Sequence, residues 1–213
     1  MRIIAGEYRG RVLRTAAGPG FRPAMGKVRE AVFSMLEAGG MDWPRARVLD
    51  LFAGSGSLGF EALSRGAASA VFVESSPQAA AAIARNAALL GLGPERAVLW
   101  REDAVKALAR YPARPFSLVF IDPPYRERIL DRTLAALLKN GWLAPDAVIN
   151  AEVESRAPLR ADAPGMAALA DRSYGQTRVL LWKAAKRTAD KTPPPPGRPS
   201  PSAPPSIPAP SIP

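Results

Sequence analysis

Four consecutive residues at the end of an apolar run combine groups that could hold a planar amine. The run Phe116–Ile121 is typical of a buried parallel strand, and Asp122, Pro123, Pro124 and Tyr125 follow it. Open α/β sheets bind their ligands where strands end. The prolines keep the backbone extended and have no N–H groups, which leaves carbonyl oxygens as acceptors beside a carboxylate and an aromatic ring. The pattern suits a flat molecule with an NH2 group, although a simple proline turn would have the same sequence.

A glycine-rich loop after an earlier predicted strand indicates a second ligand site. Gly54, Gly56 and Gly59 satisfy the pattern G-x-G-x-x-G, and Glu74 follows Gly54 by 20 residues at the end of the next predicted strand. In such loops the glycines let a ligand approach the backbone, and the acid binds ribose hydroxyls. The candidate cofactor-binding residues are Asp50, Phe52, Ala53, Gly54, Ser55, Gly56, Glu74 and Asp103.

Two cofactors are compatible with this loop. One is a nicotinamide dinucleotide, for which the glycines and Glu74 form the usual fingerprint. The other is S-adenosylmethionine, whose amino group could be served by Asp50 and whose adenine amino group could be bound by Asp103. No tyrosine is followed four residues later by lysine and the chain has no histidine, so two common proton donors of hydride transfer are missing. Each acid could instead be a solvated loop carboxylate.

Composition removes several kinds of chemistry. The chain has 213 residues, of which 47% are hydrophobic, and it contains neither cysteine nor histidine. Disulfides, Cys/His zinc sites, cysteine nucleophiles and histidine bases are therefore excluded, and no metal site is predicted. Methylation at carbon 5 of a pyrimidine, which commonly needs a cysteine, is disfavoured. We see neither a membrane-spanning run nor a secretory pattern, and we expect a cytoplasmic monomer.

Strong positive charge predicts a polyanionic partner. The formal net charge is +10 and the isoelectric point is about 10.6. Because nucleic-acid affinity depends on cationic side chains that meet phosphates, we expect a nucleic acid. The basic residues are concentrated at the amino end, where Glu7 is the single acid before Glu30, and the candidate RNA-binding residues are Arg2, Arg9, Arg11, Arg22 and Arg29.

The order of predicted elements indicates an α/β fold. We divide the chain into a basic hairpin and helix (1–40), an enzyme domain (41–185) and a disordered proline-rich tail (186–213). In the domain, strands alternate with helices, which predicts a mostly parallel sheet covered on both faces. The predicted strands are Val48–Leu51, Ala70–Glu74, Ala97–Trp100, Phe116–Ile121, Ala147–Val153 and an antiparallel pair near 167–172 and 177–183. The predicted helices are 26–38, 57–65, 77–90, 103–110 and 127–138.

Several motifs together resemble the RsmD family of bacterial 16S rRNA guanine-N2 methyltransferases over about residues 1–184. The amino-terminal block is the most specific of them, while Asp-Pro-Pro-Tyr is shared by many amino-group methyltransferases. The motifs are Met1-Arg-Ile-Ile-Ala-Gly-Glu-Tyr-Arg-Gly-Arg11, Arg22-Pro23, Val28-Arg-Glu-Ala-Val-Phe33, Asp50-Leu-Phe-Ala-Gly-Ser-Gly56, Glu61-Ala-Leu-Ser-Arg-Gly66 and Asp122-Pro-Pro-Tyr125. One departure is Ala24, where the family usually has threonine.

The resemblance implies a Rossmann-like S-adenosylmethionine-dependent methyltransferase fold with a mostly parallel seven-stranded sheet and an amino-terminal extension. It implies methylation of one guanine N2 in 16S rRNA, in assembled or assembling 30S subunits. By position, Asp122 to Tyr125 would hold the base, Glu74 the ribose, and Asp103 the adenine of the cofactor. An N6-adenine methyltransferase, a nicotinamide-dependent oxidoreductase and a catalytically silent RNA-binding protein remain the alternatives.

Overall fold

The computed structural model describes residues 1–15, 24–123, 129–157 and 165–185, without the side chains of Ala24 and Met25. The helices are α1 (Ala24–Ala38), α2 (Ser57–Ser64), α3 (Pro77–Leu89), α4 (Ala104–Leu108) and α5 (Ile129–Lys139), with a short 3-10 turn at Trp43–Arg45. The strands are β1 (Arg47–Leu51), β2 (Ser69–Val73), β3 (Ala97–Trp100), β4 (Phe116–Ile121), β5 (Leu143–Glu154), β6 (Met166–Tyr174) and β7 (Thr177–Ala184). The predicted elements are therefore present, with β5 longer than expected.

The seven strands form one mixed sheet in the order β3-β2-β1-β4-β5-β7-β6. The strands from β3 to β5 in this order are parallel, whereas β7 is antiparallel to both of its neighbours. The predicted mostly parallel sheet with an antiparallel pair is confirmed. Because β1 lies between β2 and β4, the chain changes direction across the sheet there. Crevices at such switch points are the usual ligand sites of open α/β sheets.

Helices cover both faces of the sheet, and for this reason its central strands are almost wholly apolar. On one face α1, α2 and α3 pack over an apolar layer that includes Phe33, Phe60 and Phe72. On the other face α4 and α5 cover a layer built around Trp142 and Trp182. Burial on two sides fixes the strand register, which in turn fixes where each strand ends relative to its neighbours.

Local signals explain where α3 begins. The Ser76 side chain accepts a hydrogen bond from the Ala79 N–H, and Pro77 stands at the first helical position. Serine caps and first-turn prolines both favour helix starts. The predicted start of this helix is confirmed.

The amino-terminal extension folds back as a minimal hairpin. Arg2 and Val12 form an antiparallel bridge, and Ile3 N–H donates to the Arg11 carbonyl at 3.0 Å. Ile3 and Leu13 are buried against the domain. The predicted hairpin is thus confirmed, whereas the predicted proline-rich tail lies outside the described residues. None of the described helices combines the length and the apolar sequence needed to cross a membrane.

Candidate functional site

The site lies where β1 and β4 end beside each other. In the register Asp50 pairs with Phe120, so Asp122, two residues further along, lies on the same face as Asp50. The Asp122 N–H donates to the Leu51 carbonyl at 3.4 Å, which joins the two strand ends. The loop that follows β1 and the proline segment that follows β4 therefore open into one crevice.

Two of the three fingerprint glycines are required by packing, and the third faces open space. A Cβ at Gly59 would lie 2.3 Å from the Phe72 ring, and one at Gly56 would lie 2.7 Å from the Phe60 ring. At Gly54, where φ is +55°, a Cβ would meet no heavy atom within 4 Å. Gly54 therefore presents bare backbone to a vacant volume, which is the arrangement that a closely approaching ligand needs.

Glu74 is fixed at the end of β2 by the loop it faces. One carboxylate oxygen accepts from the Gly54 N–H at 2.8 Å, and the other accepts from the Ser76 N–H at 2.7 Å. Its side chain is half-buried. A carboxylate has about four acceptor positions, so two backbone contacts leave capacity for two hydroxyls of a ligand.

Asp50 supports the glycine loop from the protein interior. It is 2% exposed, and its carboxylate accepts from the Gly59 N–H at 2.9 Å near the start of α2. Burial raises the pKa of Asp50 well above its ordinary value, and the nearby carboxylates of Asp122, Glu74 and Glu152 add to that rise. The residue holds α2 against β1 and so fixes the backbone of the glycine loop.

The other predicted loop residues have distinct positions. Phe52 has a φ of +58°, a left-handed conformation that non-glycine residues adopt rarely and mostly at functional turns. Ala53 is buried and donates its N–H to the Val73 carbonyl at 3.1 Å, while the Ser55 carbonyl accepts from Asn86. Asp103 is exposed after β3 and caps α4 by accepting from the Lys106 N–H at 2.9 Å.

Asp122 is open to solvent on one side, although protein atoms crowd around it on the others. This partial enclosure raises its pKa to about 6, because desolvation disfavours the charged form. Pro123 is half-buried beside it. Pro124 and Tyr125, the remaining predicted residues of this corner, lie outside the described residues.

Glu152 is a site residue that the sequence analysis missed. Ile121 pairs with Ala151, so the next residues, Asp122 and Glu152, stand side by side on parallel strands about 4.8 Å apart. Burial raises the pKa of Glu152 to about 8, with the Asp122 charge as the next cause. An acid between Ala151 and Val153, near the end of a largely apolar predicted strand, was the available signal.

The predicted RNA-binding arginines fall into three groups. Arg2, Arg9 and Arg11 are exposed, and Arg22 lies outside the described residues. Arg29 is only 5% exposed: its guanidinium donates to the Arg2 carbonyl at 2.6 Å, contacts the Met1 sulfur and lies 3.9 Å from the Glu61 carboxylate. The prediction that Arg29 contacts RNA is therefore wrong, because its charge faces the interior.

Arg14, which was not among the predicted RNA-binding residues, lies beside the glycine loop. Its backbone N–H and carbonyl both bond to the Asn86 side chain, at 2.8 and 2.9 Å, and that side chain also donates to the Ser55 carbonyl at 3.1 Å. The Arg14 side chain is exposed. One buried asparagine thus holds the end of the basic extension beside the crevice. Within the described parts of the chain, no cluster of three or more acids could hold a metal ion.

Comparison with known proteins agrees with this geometry. Residues 1–183 match the family described as "Conserved hypothetical protein 95". The chain is 42% identical over 154 residues to Ribosomal RNA small subunit methyltransferase D of Escherichia coli. These aligned residues cover 72% of this chain and 75% of that protein. It is 37% identical over 161 residues to the protein of the same name from Haemophilus influenzae, with 75% and 81% covered.

The same fold occurs in solved relatives. The structure of the Escherichia coli methyltransferase yhhF matches with a TM-score of 0.76 and 35% identity, over 88% of this chain and 99% of that chain. The Haemophilus influenzae methylase HI0767 matches with a TM-score of 0.74 and 32% identity, over 87% and 98%. The resemblance and the Rossmann-like fold inferred from sequence are confirmed, and the chain belongs to the RsmD family of methyltransferases.

Proposed function

We propose that this protein transfers a methyl group from S-adenosylmethionine to the exocyclic N2 of a guanine in the 16S rRNA of the small ribosomal subunit. The observation that carries the proposal is the junction of β1 and β4, where an open glycine loop meets a carboxylate followed by proline. Membership in a family whose relatives are named small-subunit rRNA methyltransferases supports the reaction and the substrate class.

The glycine loop has the features that S-adenosylmethionine requires. Vacant space over Gly54 admits the methionine part of the cofactor, and Glu74 has acceptor capacity for ribose hydroxyls. Asp103 uses its Oδ1 as a helix cap, so we assign its other oxygen to the adenine amino group. When bound, the cofactor supplies an electrophilic methyl group on a sulfonium. Phe52, Ala53, Ser55 and Gly56 fix the loop backbone, and Asp50 supports it from the core.

Asp122 and the Pro123 carbonyl are suited to grip an amino group. The lone pair of a guanine amine is delocalised into its ring, so the amine is a weak nucleophile. Acceptors that bind its hydrogens favour a more pyramidal nitrogen and stabilise the positive charge that develops on it. The remaining contribution is alignment of nitrogen and methyl carbon. We assign Tyr125 to stacking on a base that has left its neighbours, which costs least in a single-stranded loop.

Nucleoside analysis tests the proposal. Small ribosomal subunits from a strain that lacks this gene would be incubated with the purified full chain and isotopically labelled S-adenosylmethionine, and the rRNA nucleosides would be separated by mass spectrometry. We expect one labelled N2-methylguanosine per subunit, and its formation should be slower by about a hundredfold or more with Asp122→Ala. In the cell we expect the reaction to take place in the cytoplasm. Label in N6-methyladenosine would favour the adenine alternative, and an absence of label would contradict methyl transfer to this RNA.

The placement of Arg14 leads to a prediction for RNA binding. Arg14→Ala should weaken binding to the subunit. The negative slope of log affinity against log salt should become less steep by roughly 0.7 to 0.9, because one phosphate contact is lost. Filter binding at several salt concentrations measures this slope. Arg45→Ala is the matched control, since Arg45 is exposed but precedes β1 at the opposite end of the sheet. Equal slopes in the wild type and Arg14→Ala would show that Arg14 does not contact an RNA phosphate.

A further inference from the structure

Glu152 is held rigidly beside the residue that we assign to the target amine. Its backbone is part of β5, where Glu152 pairs with Val179 of β7, while Ala151 pairs with Ile121 of β4. The sheet order places β5 on the far side of β4 from the glycine loop. Glu152 therefore stands on the side of Asp122 that is away from the cofactor loop.

Charged groups surround Glu152 from several elements. Asp122, which follows β4, and Asp50 of β1 are neighbouring acids, and Arg29 of α1 is a neighbouring cation. The charge of Arg29 acts on Glu61 as well as on Glu152, because its guanidinium lies 3.9 Å from the buried Glu61 carboxylate. Burial and the Asp122 charge raise the pKa of Glu152, whereas Arg29 and the Asn150 amide favour its ionised form, and the balance is a pKa of about 8.

Asn150 and Glu152 form a buried polar pair on β5. Asn150 lies two residues before Glu152 on the same face of the strand and is fully buried. Its amide has no hydrogen bond of ordinary length, but it interacts with the Glu152 carboxyl and favours the ionised form of that group. Buried amides are seldom left without partners, so the orientation of this amide is tied to the Glu152 carboxyl.

The proposed reaction needs a proton acceptor. Transfer forms a bond between N2 and the methyl carbon and breaks the bond from that carbon to sulfur, whose electron pair stays on sulfur as a neutral thioether. The nitrogen then carries a positive charge and one hydrogen too many. Asp122 is already assigned to hydrogen bonding with the amine, and Glu152 is the acid that the strand register places beside it.

We propose that Glu152 is a further catalytic residue, which accepts the proton that the methylated nitrogen releases and passes it to solvent. This inference rests on the proposed function. Asp122 keeps its place as the acceptor that orients the amine, and Glu152 completes the step as the general base. A base whose pKa lies near the working pH is best matched to such a transfer.

Single-turnover rates on small ribosomal subunits as a function of pH test the role. In the wild type the rate should rise with pH, reach half of its maximum near pH 8 and level off above it, as the fraction of ionised Glu152 grows. Glu152→Gln should be slower by about a hundredfold, in the range of general bases, and should lack this step. Glu154→Gln is the matched control, because Glu154 is exposed two residues further along β5. A normal rate and profile in Glu152→Gln would overturn the proposal.

Misfolding can be separated from lost chemistry. The pKa of Glu152 is raised from its ordinary value of 4.5 to about 8 in the folded protein. The free energy of unfolding should therefore decrease as the pH rises from 4.5 to 8, because the folded state resists ionisation of this carboxyl group. Glu152→Gln removes that cost, so at pH 8 it should melt no lower than the wild type. A lower melting temperature would mean that Glu152 is structural and would contradict the assignment.

A measurement without RNA distinguishes failure of this inference from failure of the proposed function. Carboxyl 13C titration of the glutamate-labelled chain should show one group titrating near pH 8 that is absent in Glu152→Gln. Asp122→Asn should lower that pKa, because the Asp122 charge raises it. Titration of Glu152 near 4.5 would overturn the inference whatever the substrate is. Inactivity of the wild type on ribosomal subunits, with this titration intact, would instead count against the proposed RNA substrate.

Discussion

Asp122→Ala should lower the rate of methyl transfer by about a hundredfold or more while leaving S-adenosylmethionine binding nearly unchanged. The variant loses the carboxylate that accepts the hydrogens of the target amine, and contacts that strengthen in the transition state have effects of this size. The residues assigned to the cofactor lie on the loop after β1 and at the ends of β2 and β3, so their positions do not depend on the Asp122 side chain. Single-turnover kinetics and calorimetry measure the two quantities separately.

The pH dependence of the wild type gives a second readout. The pKa of Asp122 is raised to about 6, so the carboxylate is ionised at pH 7 and becomes neutral as pH falls through 6. A neutral acid is a weaker acceptor, so the rate, which already declines below pH 8 as Glu152 becomes neutral, should fall more steeply on the acid side of pH 6. Asp122→Asn retains one acceptor oxygen and should lose less activity than Asp122→Ala, without this acid step.

Asp131→Ala provides the control for loss of an acid close in sequence. Asp131 is an exposed residue in the first turn of α5, and we expect its removal to change neither the rate nor cofactor binding. If Asp122→Ala lost cofactor affinity in proportion to its rate, Asp122 would belong to the cofactor site and the assignment to the amine would be wrong.

Local sequence patterns were sufficient to predict the elements of this fold, because each element has its own signal. Apolar runs marked the buried strands, and Ser76 with Pro77 marked the start of α3. The spatial order of the strands, in contrast, has no local sequence signal. That β4 lies beside β1 depends on packing over the whole chain, and the sequence predicted only a mostly parallel sheet without its strand order.

The two errors at the site have the same physical origin. Glu152 was missed because only the pairing of Ile121 with Ala151 places it beside Asp122. Arg29 was assigned to RNA because its charge was read without its partner, although Phe33 and Leu36 at helical spacing place it on the buried face of α1. In both cases a contact between residues about 30 positions apart decides the role, and no local pattern reports such a contact.

The partner of Arg29 is the basis of the second large prediction. Glu61 of α2 is fully buried and accepts from the N–H groups of Ile4 and Ala5 at 2.8 and 3.0 Å. It also accepts from Arg65 Nε at 2.9 Å, and Arg29 lies within ion-pair distance. One carboxylate therefore joins the amino-terminal extension, α1 and α2.

Glu61→Ala should destabilise the protein by about 3–5 kcal/mol, because it removes the ion-pair partner of the buried Arg29, leaves Arg65 with Glu37 alone, and leaves two backbone donors without an acceptor. Urea unfolding measures the loss. Glu61→Gln keeps an acceptor for the backbone and should lose less. Glu37→Ala is the control: Glu37 also pairs with Arg65 but is half exposed, so its removal should cost less than about 1 kcal/mol.

The same variant should release residues 1–14 before the domain unfolds, because their backbone is tied to α2 through Glu61 and through Ser64, whose hydroxyl accepts from the Tyr8 N–H at 2.9 Å. Hydrogen exchange should show loss of protection at Ile4 and Ala5 at urea concentrations that leave β1 and β4 protected. Asn86 connects Arg14 to the glycine loop, so a released extension would also take its arginines away from the crevice and weaken RNA binding. Uniform loss of protection throughout the chain would show instead that the extension and the domain unfold as one unit, and Glu61 would then be a core residue without a separate docking role.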